Sequence, residues 1–238
     1  MQLYFIRHAQ SANNKLYEDT GSWDGRDADP ELTDLGHQQA QHLAEHLACT
    51  NDAAHPRDFL NRRGFGLTHL YTSLMVRAVT TGSYIAAALN LPLVEWEDLH
   101  EVGGIFVFDP ETDEHVGQPG KTRSDLAARF PQLALAQAVG DDGWWNRPHE
   151  PIDQQAQRAQ RVVRELFEQH AGTADRVAVI SHGGFYNFIL AALLGTRVDE
   201  GFWFGINNTG ITRLNFKEEG VELMYANRLE HLPAELIT

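Results

Sequence analysis

Apolar and polar positions alternate along this 238-residue chain in blocks that predict strands and helices in turn. Short apolar runs bounded by polar or turn-forming residues are typical of buried strands. Such runs predict strands at 2–6, 67–72, 91–96, 176–181, 201–206, 211–216 and 221–225.

The segments between these strands carry apolar residues at helical spacing. Thr33 is placed to cap a helix whose apolar face includes Ala40, Leu43 and Leu47. Further helices are predicted at 75–89, 152–167 and 182–194. Strands that alternate with helices predict an α/β fold, a three-layer sandwich with a mainly parallel central sheet and helices on both faces.

Residues 103–151 interrupt this alternation. The segment is rich in Gly, Pro and Asp, and one helix is predicted within it, around 124–130. A connection of this length is usually a lid or a binding loop. Because no low-complexity linker or internal repeat divides the chain, we expect a single domain over residues 1–238, with an insertion at about 103–151 that lies over the active site.

The strongly acidic balance of the chain limits its ligands. The formal charge is −14, from 33 acidic and 19 basic residues. Such a field repels polyanions, so neither nucleic acid nor an anionic membrane surface is an expected partner. A phosphate site would therefore require a local cluster of cationic groups.

Cysteine content and the N-terminal segment bear on location. The lone Cys49 excludes an internal disulfide and a cysteine-built zinc site. No secretory leader or membrane-spanning apolar run is evident, which predicts a soluble, cytoplasmic protein. The oligomeric state stays open, including a homo-oligomer, because the apolar residues 202–204 fit a core strand as well as an interface.

Polar side chains follow three of the predicted strands. Arg7 and His8 come after the first, Arg77 after the second, and His182 after the strand at 176–181. In open α/β sheets, ligands bind beyond the carboxyl ends of the strands, so these groups are expected to meet in space. Neutral imidazole is a nucleophile at physiological pH, and a guanidinium grips two phosphate oxygens at once. This combination suits phosphoryl transfer.

Each of these groups taken alone also has an ordinary structural explanation. His8 could be a surface residue beside a solvated Arg7, and Arg77 could be a salt-bridged helix residue. His182 could be a turn residue, and Glu101, at the start of the insertion, could be a surface carboxylate. Their joint occurrence, in a fixed order along the chain, is what distinguishes a site from chance.

At this point the chain resembles the histidine phosphatase superfamily, which includes the cofactor-dependent phosphoglycerate mutases. The resemblance spans residues 3 to about 212 and rests on short segments that occur in the family's order. These segments are Arg7-His8 with Asn14, Leu32-Thr33-x-x-Gly36-x-x-Gln39-Ala40, Ser73-x-x-x-Arg77-Ala78-x-x-Thr81, Glu101, and Ser181-His182-Gly183-Gly184.

The resemblance implies a division of labour among these residues. His8 would attack phosphorus, and Glu101 would protonate the leaving oxygen and then activate water. Phosphate oxygens would be held by Arg7, Arg77, His182, Asn14 and Gly183. The arginines and His182 would supply the positive charge, so no metal ion and no other cofactor is expected.

Two departures from the family pattern bear on the reaction. Ala9 follows the nucleophile where the family most often has Gly, and its methyl group is expected to be tolerated. The mutases carry basic residues just after the acid, whereas Glu101 is followed by the apolar segment 102–108. A phosphatase acting on a small phosphorylated metabolite is therefore favoured, with mutase-type phosphotransfer and a non-catalytic phosphate-binding module as alternatives.

Side chains of the insertion offer two interpretations. Lys121 and Arg123 could meet a second anionic group of the substrate, and Trp144 and Trp145 could cover an apolar leaving group. The alternative is that the tryptophans pack the insertion onto the domain and the basic residues are solvated.

Two other short motifs compete with this interpretation. His42 and His46 have the spacing of a zinc-protease helix, but they lie off its predicted apolar face, so metal catalysis is disfavoured. Asp27 and Asp29 hint at an aspartate-nucleophile phosphatase, although they sit in a polar loop and not at a strand end.

Overall fold

The computed structural model describes residues 1–49, 58–198, 202–218 and 220–238, arranged around a central sheet. The helices are α1 (Ala12–Thr20), α2 (Asp34–Ala48), α3 (Val76–Leu89), α4 (Arg123–Arg129), α5 (Ile152–His170) and α6 (Gly183–Leu194). The strands are β1 (Gln2–Arg7), β2 (His69–Thr72), β3 (Leu93–Glu95), β4 (Phe106–Asp109), β5 (Glu114–Gly117), β6 (Leu133–Ala134), β7 (Arg176–Ser181), β8 (Ile211–Lys217) and β9 (Gly220–Arg228).

Seven of these strands form one sheet in the order β6-β3-β2-β7-β1-β8-β9. The strands from β6 to β1 are parallel, and β8 and β9 add an antiparallel edge. The carboxyl ends of β1, β2 and β7 consequently lie side by side, which is where the predicted site residues emerge.

Alternating side chains of β1 serve two separate cores. Tyr4 and Ile6 pack on one face, together with apolar residues of α2 and α3. Leu3 and Phe5 pack on the other face, together with α5 and α6. Because successive side chains of a strand point to opposite faces, a strand buried on both sides reads as a continuous apolar run. The predicted three-layer α/β sandwich is confirmed.

Some predicted elements differ from those observed. Helix α1 falls in what the sequence suggested was a polar loop, because its residues form no apolar stripe; it is capped instead by reciprocal hydrogen bonds between Ser11 and Asn14. The predicted strand at 201–206 is wrong for its described residues, which form no named strand. There, the Phe204 N–H donates to Asn187 Oδ1 of α6 at 2.7 Å in place of a strand partner.

The predicted insertion is more regular than its composition suggested. It contains the β4–β5 hairpin, helix α4 and the short strand β6, which joins the edge of the main sheet. None of the helices within the described residues is long and apolar enough to cross a membrane. The single domain over residues 1–238 and the cytoplasmic location stay predictions.

Candidate active site

The carboxyl ends of β1, β2 and β7 open into one cleft, where most of the predicted site residues meet. Arg7, His8 and Arg77 line this cleft with Glu101. The Arg77 Nε–H donates to His8 Nε2 at 3.1 Å. The imidazole rings of His8 and His182 lie 5.0 Å apart, centroid to centroid. Residues that are up to 175 positions apart therefore form one cluster at the carboxyl ends of the strands, where open α/β sheets bind their ligands.

The hydrogen bonds of His8 define which of its nitrogens is reactive. Its Nδ1 lies 2.7 Å from the carbonyl oxygen of Ala9, an acceptor, so Nδ1 carries the proton. Nε2 is then an acceptor with its lone pair directed at Arg77. Burial, followed by the positive charges of Arg77 and Arg7, lowers the pKa of His8 well below its usual value. The ring is thus neutral and aimed by its neighbours.

Arg7 and Arg77 each have one buried N–H group without a hydrogen-bond partner among the described residues. Arg7 Nη1 donates to the carbonyl oxygen of Ile206 at 2.6 Å. Within the described residues, the buried Nε of Arg7 and Nη1 of Arg77 have no hydrogen-bond partner. Buried donors are nearly always satisfied, so this pair indicates an anion-binding site. Desolvation, together with the charge of Arg77, lowers the pKa of Arg7 to about 10, which keeps it cationic at neutral pH.

Asp29 is a buried carboxylate next to the Arg77 guanidinium. Its Oδ1 lies 3.7 Å from Arg77 Nη1 and accepts a hydrogen bond from the Val76 N–H at 3.0 Å. Burial raises the pKa of Asp29 to about 6, against the opposing effect of Arg77. Asp29 is therefore a partner of the cationic cluster, and Asp27, which is exposed, lies outside the cleft lining.

His182 is fully buried and contacts His8 from inside the protein. Its Nε2 lies 2.9 Å from Ser73 Oγ, and its buried Nδ1 has no partner among the described residues. Burial, followed by the charge of Arg77, lowers its pKa well below the usual value. The structure brings His182 to the cluster but not to the cleft lining.

Glu101 is fixed at the start of α6 by backbone donors. Its Oε1 accepts from the N–H groups of Val102 at 2.9 Å and Phe185 at 2.8 Å, and its Oε2 accepts from Gly184 at 3.0 Å. A helix N-terminus favours a carboxylate in this way. A Cβ at Gly184 would lie 2.5 Å from Glu101 Oε1, so glycine is what permits this approach.

Gly184→Ala should displace Glu101 and weaken proton transfer. General acid catalysis contributes about 10²–10⁴-fold to the rate of a reaction. Its contribution is largest when the leaving alcohol is a poor leaving group, because such an alcohol must be protonated as it departs. We expect kcat to fall about 10²-fold with an alkyl phosphate and much less with a nitrophenyl phosphate. Steady-state kinetics with the two esters measures this, and equal losses with both would count against Glu101 as the acid. Gly140→Ala, at an exposed position where an added Cβ would have its nearest contact at 3.9 Å, tests for a general effect of an added methyl group.

Asn14 and Gly183 complete the predicted set. Both line the cleft. Asn14 Oδ1 accepts from the Ser11 N–H at 3.0 Å and from Asn208 Nδ2 at 3.3 Å, which fixes the amide plane. Asn208 Nδ2 also donates to the His8 carbonyl oxygen at 2.9 Å. Asn208 is thus a supporting residue that the sequence reasoning missed.

The insertion contacts the cleft through residues other than those the sequence suggested. Trp144 and Trp145 are 6% and 3% exposed and belong to the core, so the covering role was wrong and the packing role is confirmed. Lys121 and Arg123 do not line the cleft, and Arg123 Nη1 donates to the Ala136 carbonyl oxygen at 2.6 Å. Aromatic count alone does not reveal which way a side chain points.

Residues of β4 and of the loop after α1 line the cleft instead. Phe106 and Phe108 come from β4, and Trp23 and Arg26 from the loop. The Arg26 guanidinium lies 4.1 Å above the Phe106 ring centroid. Sequence reasoning missed Trp23 and Arg26, because no periodicity or motif marks a side chain in a polar loop.

In the part of the chain that the structure describes, His42 and His46 join no cluster of three potential metal ligands. His42 is exposed, while the His46 ring packs against His231 at 5.5 Å. Within the described residues, the cluster of three potential metal ligands consists of His69, His170 and Asp175, and His170 Nδ1 lies 2.9 Å from Asp175 Oδ2. Neither His42 nor His46 belongs to it.

The buried histidines predict a loss of stability in acid. Burial is the largest cause of the lowered pKa values of His8, His100 and His182. Below a pH of about 6.5, the ordinary histidine pKa, the unfolded chain binds protons that the native state does not. The free energy of unfolding should therefore fall as pH drops from 7 to 5. Asp29, whose raised pKa acts in the opposite direction below pH 6, offsets part of this loss.

Urea denaturation at pH 7, 6 and 5 checks this expectation. A constant or rising free energy of unfolding over this range would contradict it. His8→Ala should flatten the dependence, because it removes one of the groups that titrates only when unfolded.

Comparison with known proteins places this chain in a family. The sequence matches the profile of the histidine phosphatase superfamily (branch 1) over residues 3–228. The chain therefore belongs to the histidine phosphatase superfamily, and the resemblance drawn from its motifs is confirmed.

Relatives across the superfamily agree with this assignment. The chain is 23% identical over 239 residues to phosphoserine phosphatase 1 of Hydrogenobacter thermophilus, with 98% of this chain and 94% of the relative covered. It is 26% identical over 196 residues to 5''-phosphoribostamycin phosphatase of Niallia circulans, with 82% and 79% covered. A phosphoserine phosphatase variant from Entamoeba histolytica, solved with phosphoserine, shares the fold at a TM-score of 0.62 and 20% identity, with 98% and 99% covered. The prediction of a phosphatase of this superfamily is confirmed at that level.

Proposed function

We propose that this phosphatase hydrolyses a small phosphorylated metabolite in two steps, through a phosphohistidine on His8 and without a metal ion. The observation that carries the proposal is the neutral His8 ring at the cleft, whose unprotonated Nε2 lies beside two arginines. Among the described residues, the buried Nε of Arg7 and Nη1 of Arg77 have no hydrogen-bond partner. Phosphoryl transfer requires a nucleophile and cationic groups that neutralise the charge of the transferred group. Here the cationic groups are Arg7 and Arg77, which we call the phosphate cage.

Bonds and protons balance over the two steps. In the first, His8 Nε2 attacks phosphorus, the bond to the leaving oxygen breaks, and Glu101 donates its proton to that oxygen. In the second, water attacks phosphorus, Glu101 accepts the proton of the water, and the P–N bond breaks to regenerate neutral His8. Glu101 is thus acid and base in turn.

The remaining residues stabilise charge on the transferred group. Arg7 and Arg77 bring two guanidiniums to the nucleophile, and His182 supports it from inside the protein. Asn14 and the backbone of Gly183 line the same cleft and supply further donors. Donors held in place before the reaction stabilise the transition state without reorganisation. These groups account for a metal-independent reaction.

The surroundings of Glu101 favour water over a sugar acid as the final acceptor. The segment that follows Glu101 contributes apolar side chains to the cleft, including Val102, Phe106 and Phe108. The named relatives, phosphoserine and phosphoribostamycin phosphatases, support a small phosphorylated substrate.

Phosphate release in the presence of a chelator tests the proposal. With nitrophenyl phosphate and EDTA, we expect turnover at the same rate as with added Mg²⁺. Dependence on an added metal would contradict the metal-independent mechanism. Incubation with 3-phosphoglycerate should yield inorganic phosphate; recovery of 2-phosphoglycerate would instead establish the mutase reaction. Binding of phosphorylated ligands with no turnover of any ester would establish the non-catalytic alternative.

A further inference from the structure

Three exposed aromatic side chains line the active-site cleft. Trp23, Phe108 and Trp203 are 49%, 43% and 55% exposed, and all three line the cleft that contains His8. They come from three separate elements: the loop after α1, strand β4 of the insertion, and the segment before β8. Large apolar side chains that gather around one opening commonly mark a ligand-binding surface.

Two of these aromatic residues, Trp23 and Phe108, are held in place by neighbouring residues. The Trp23 ring stacks on Tyr17 at a centroid distance of 4.5 Å and an interplanar angle of 21°. Phe108 belongs to the β4–β5 hairpin, which holds its backbone by antiparallel pairing. The Trp23 ring and the Phe108 backbone are therefore held in place before a ligand binds, which reduces the entropic cost of binding.

Arg26 lines the same cleft as the exposed aromatic side chains and the two arginines beside His8. Its guanidinium covers the Phe106 ring, and its buried Nε has no hydrogen-bond partner among the described residues. Arg26 lines the same cleft as His8 and Arg77, and desolvation, followed by the charge of Arg77, lowers its pKa to about 10. The aromatic surface and the cage are thus parts of one continuous site.

The size of the cleft also bears on the substrate. Its volume is about 1180 Å³, whereas ligand pockets typically measure about 300–1000 Å³. An ester as small as phosphoserine would fill only part of a cleft of this volume.

We infer that the preferred substrate carries a flat, aromatic-sized leaving group, which packs against Trp23, Phe108 and Trp203 while its phosphate enters the cage beside His8. This inference rests on the proposed function and specifies the substrate class of that same site. Contact with aromatic faces selects for a planar apolar body, and the exposed cleft accommodates one larger than a single amino acid.

A pair of esters that differ in the leaving group tests the inference. The alcohols of 2-(2-naphthyl)ethyl phosphate and ethyl phosphate have similar acidity, so the comparison isolates binding of the ring from ease of bond cleavage. We expect kcat/KM to be at least about tenfold higher for the naphthyl ester. The variants Phe108→Ala and Trp203→Ala should each lower that ratio about threefold, and the double variant should bring it close to one. Phe167→Ala, an equally exposed aromatic residue on α5, is the matched control and should keep the ratio.

The outcomes distinguish a failure of this inference from a failure of the proposed function. A wild-type ratio near one, or a ratio that survives the double variant, would overturn the inference while leaving a working phosphatase. Absence of hydrolysis of both esters and of nitrophenyl phosphate would contradict the proposed function itself. Circular dichroism of each variant confirms that the fold is retained, so a change in ratio reports on the cleft.

Discussion

His8→Ala should lower kcat/KM for any phosphate ester by about 10⁴-fold or more, the scale of loss seen when a covalent nucleophile is removed. The expected cause is specific: alanine leaves the cationic cage but removes the Nε2 lone pair that Arg77 aligns. Because the cage stays intact, phosphate should still bind. Steady-state kinetics and isothermal titration with phosphate measure the two effects separately.

His42→Ala provides the matched control for this experiment. His42 is exposed on α2, away from the cleft, and is also half of the zinc-type motif. Its replacement should leave the rate within about twofold, as surface substitutions generally do. A His8→Ala protein that retains the wild-type rate would remove His8 from the mechanism, and a large loss in His42→Ala would revive a role for that helix.

Arg158→Leu should lower the free energy of unfolding by about 3–5 kcal/mol, the cost of breaking a buried ion pair by removing one partner. The Arg158 side chain is almost fully buried on α5. Its Nε donates to Glu150 Oε1 and its Nη2 donates to Glu150 Oε2, both at 2.7 Å. Its Nη1 donates to the carbonyl oxygens of Asp98 at 2.7 Å and His100 at 2.9 Å. The substitution leaves all four acceptors without their donor.

Differential scanning calorimetry and urea denaturation measure this effect. At about 2–4 °C per kcal/mol for a domain of this size, the Tm should fall by roughly 6–20 °C. Arg161→Leu is the control on the same helix, since Arg161 is half-exposed and pairs with Asp98 at 3.2 Å at the surface. It should cost about 1 kcal/mol or less. Equal losses from both variants would show that the buried pair has no special weight.

Arg158 also links the stability of the fold to the position of the acid. It binds the carbonyl oxygens of Asp98 and His100, within the three residues before Glu101. Its guanidinium packs 4.0 Å from the ring centroid of Phe185, whose N–H donates to Glu101. One buried cation therefore holds both segments that orient the carboxylate.

Sequence reasoning succeeded where a physical rule ties local pattern to position. Strands buried on both faces read as apolar runs, and their carboxyl ends share an edge when the strands are parallel. His8, Arg77 and His182 could therefore be placed together before any coordinates were known. The segment Ser181-His182-Gly183-Gly184 is also readable from the sequence, and in the structure Gly184 makes room for Glu101.

The same reasoning failed where the outcome depends on tertiary contacts. Helix α1 is stabilised by its caps and by the residues around it, since its own sequence forms no apolar stripe. Trp144 and Trp145 turn into the core, whereas Trp23 reaches the cleft from a polar loop. No spacing rule separates these cases, because the direction of a loop side chain is set by residues distant in the chain.

Mapping of the phosphorylated residue during turnover tests the central claim most directly. Glu101→Gln removes the base of the second step, so mixing this variant with nitrophenyl phosphate and quenching in alkali should trap the intermediate. The account predicts phosphate on the peptide that carries His8, in an acid-labile, alkali-stable linkage, and none when His8→Ala is added to the same variant. Phosphate on another side chain, or turnover with no phosphorylated protein at any quench time, would contradict it.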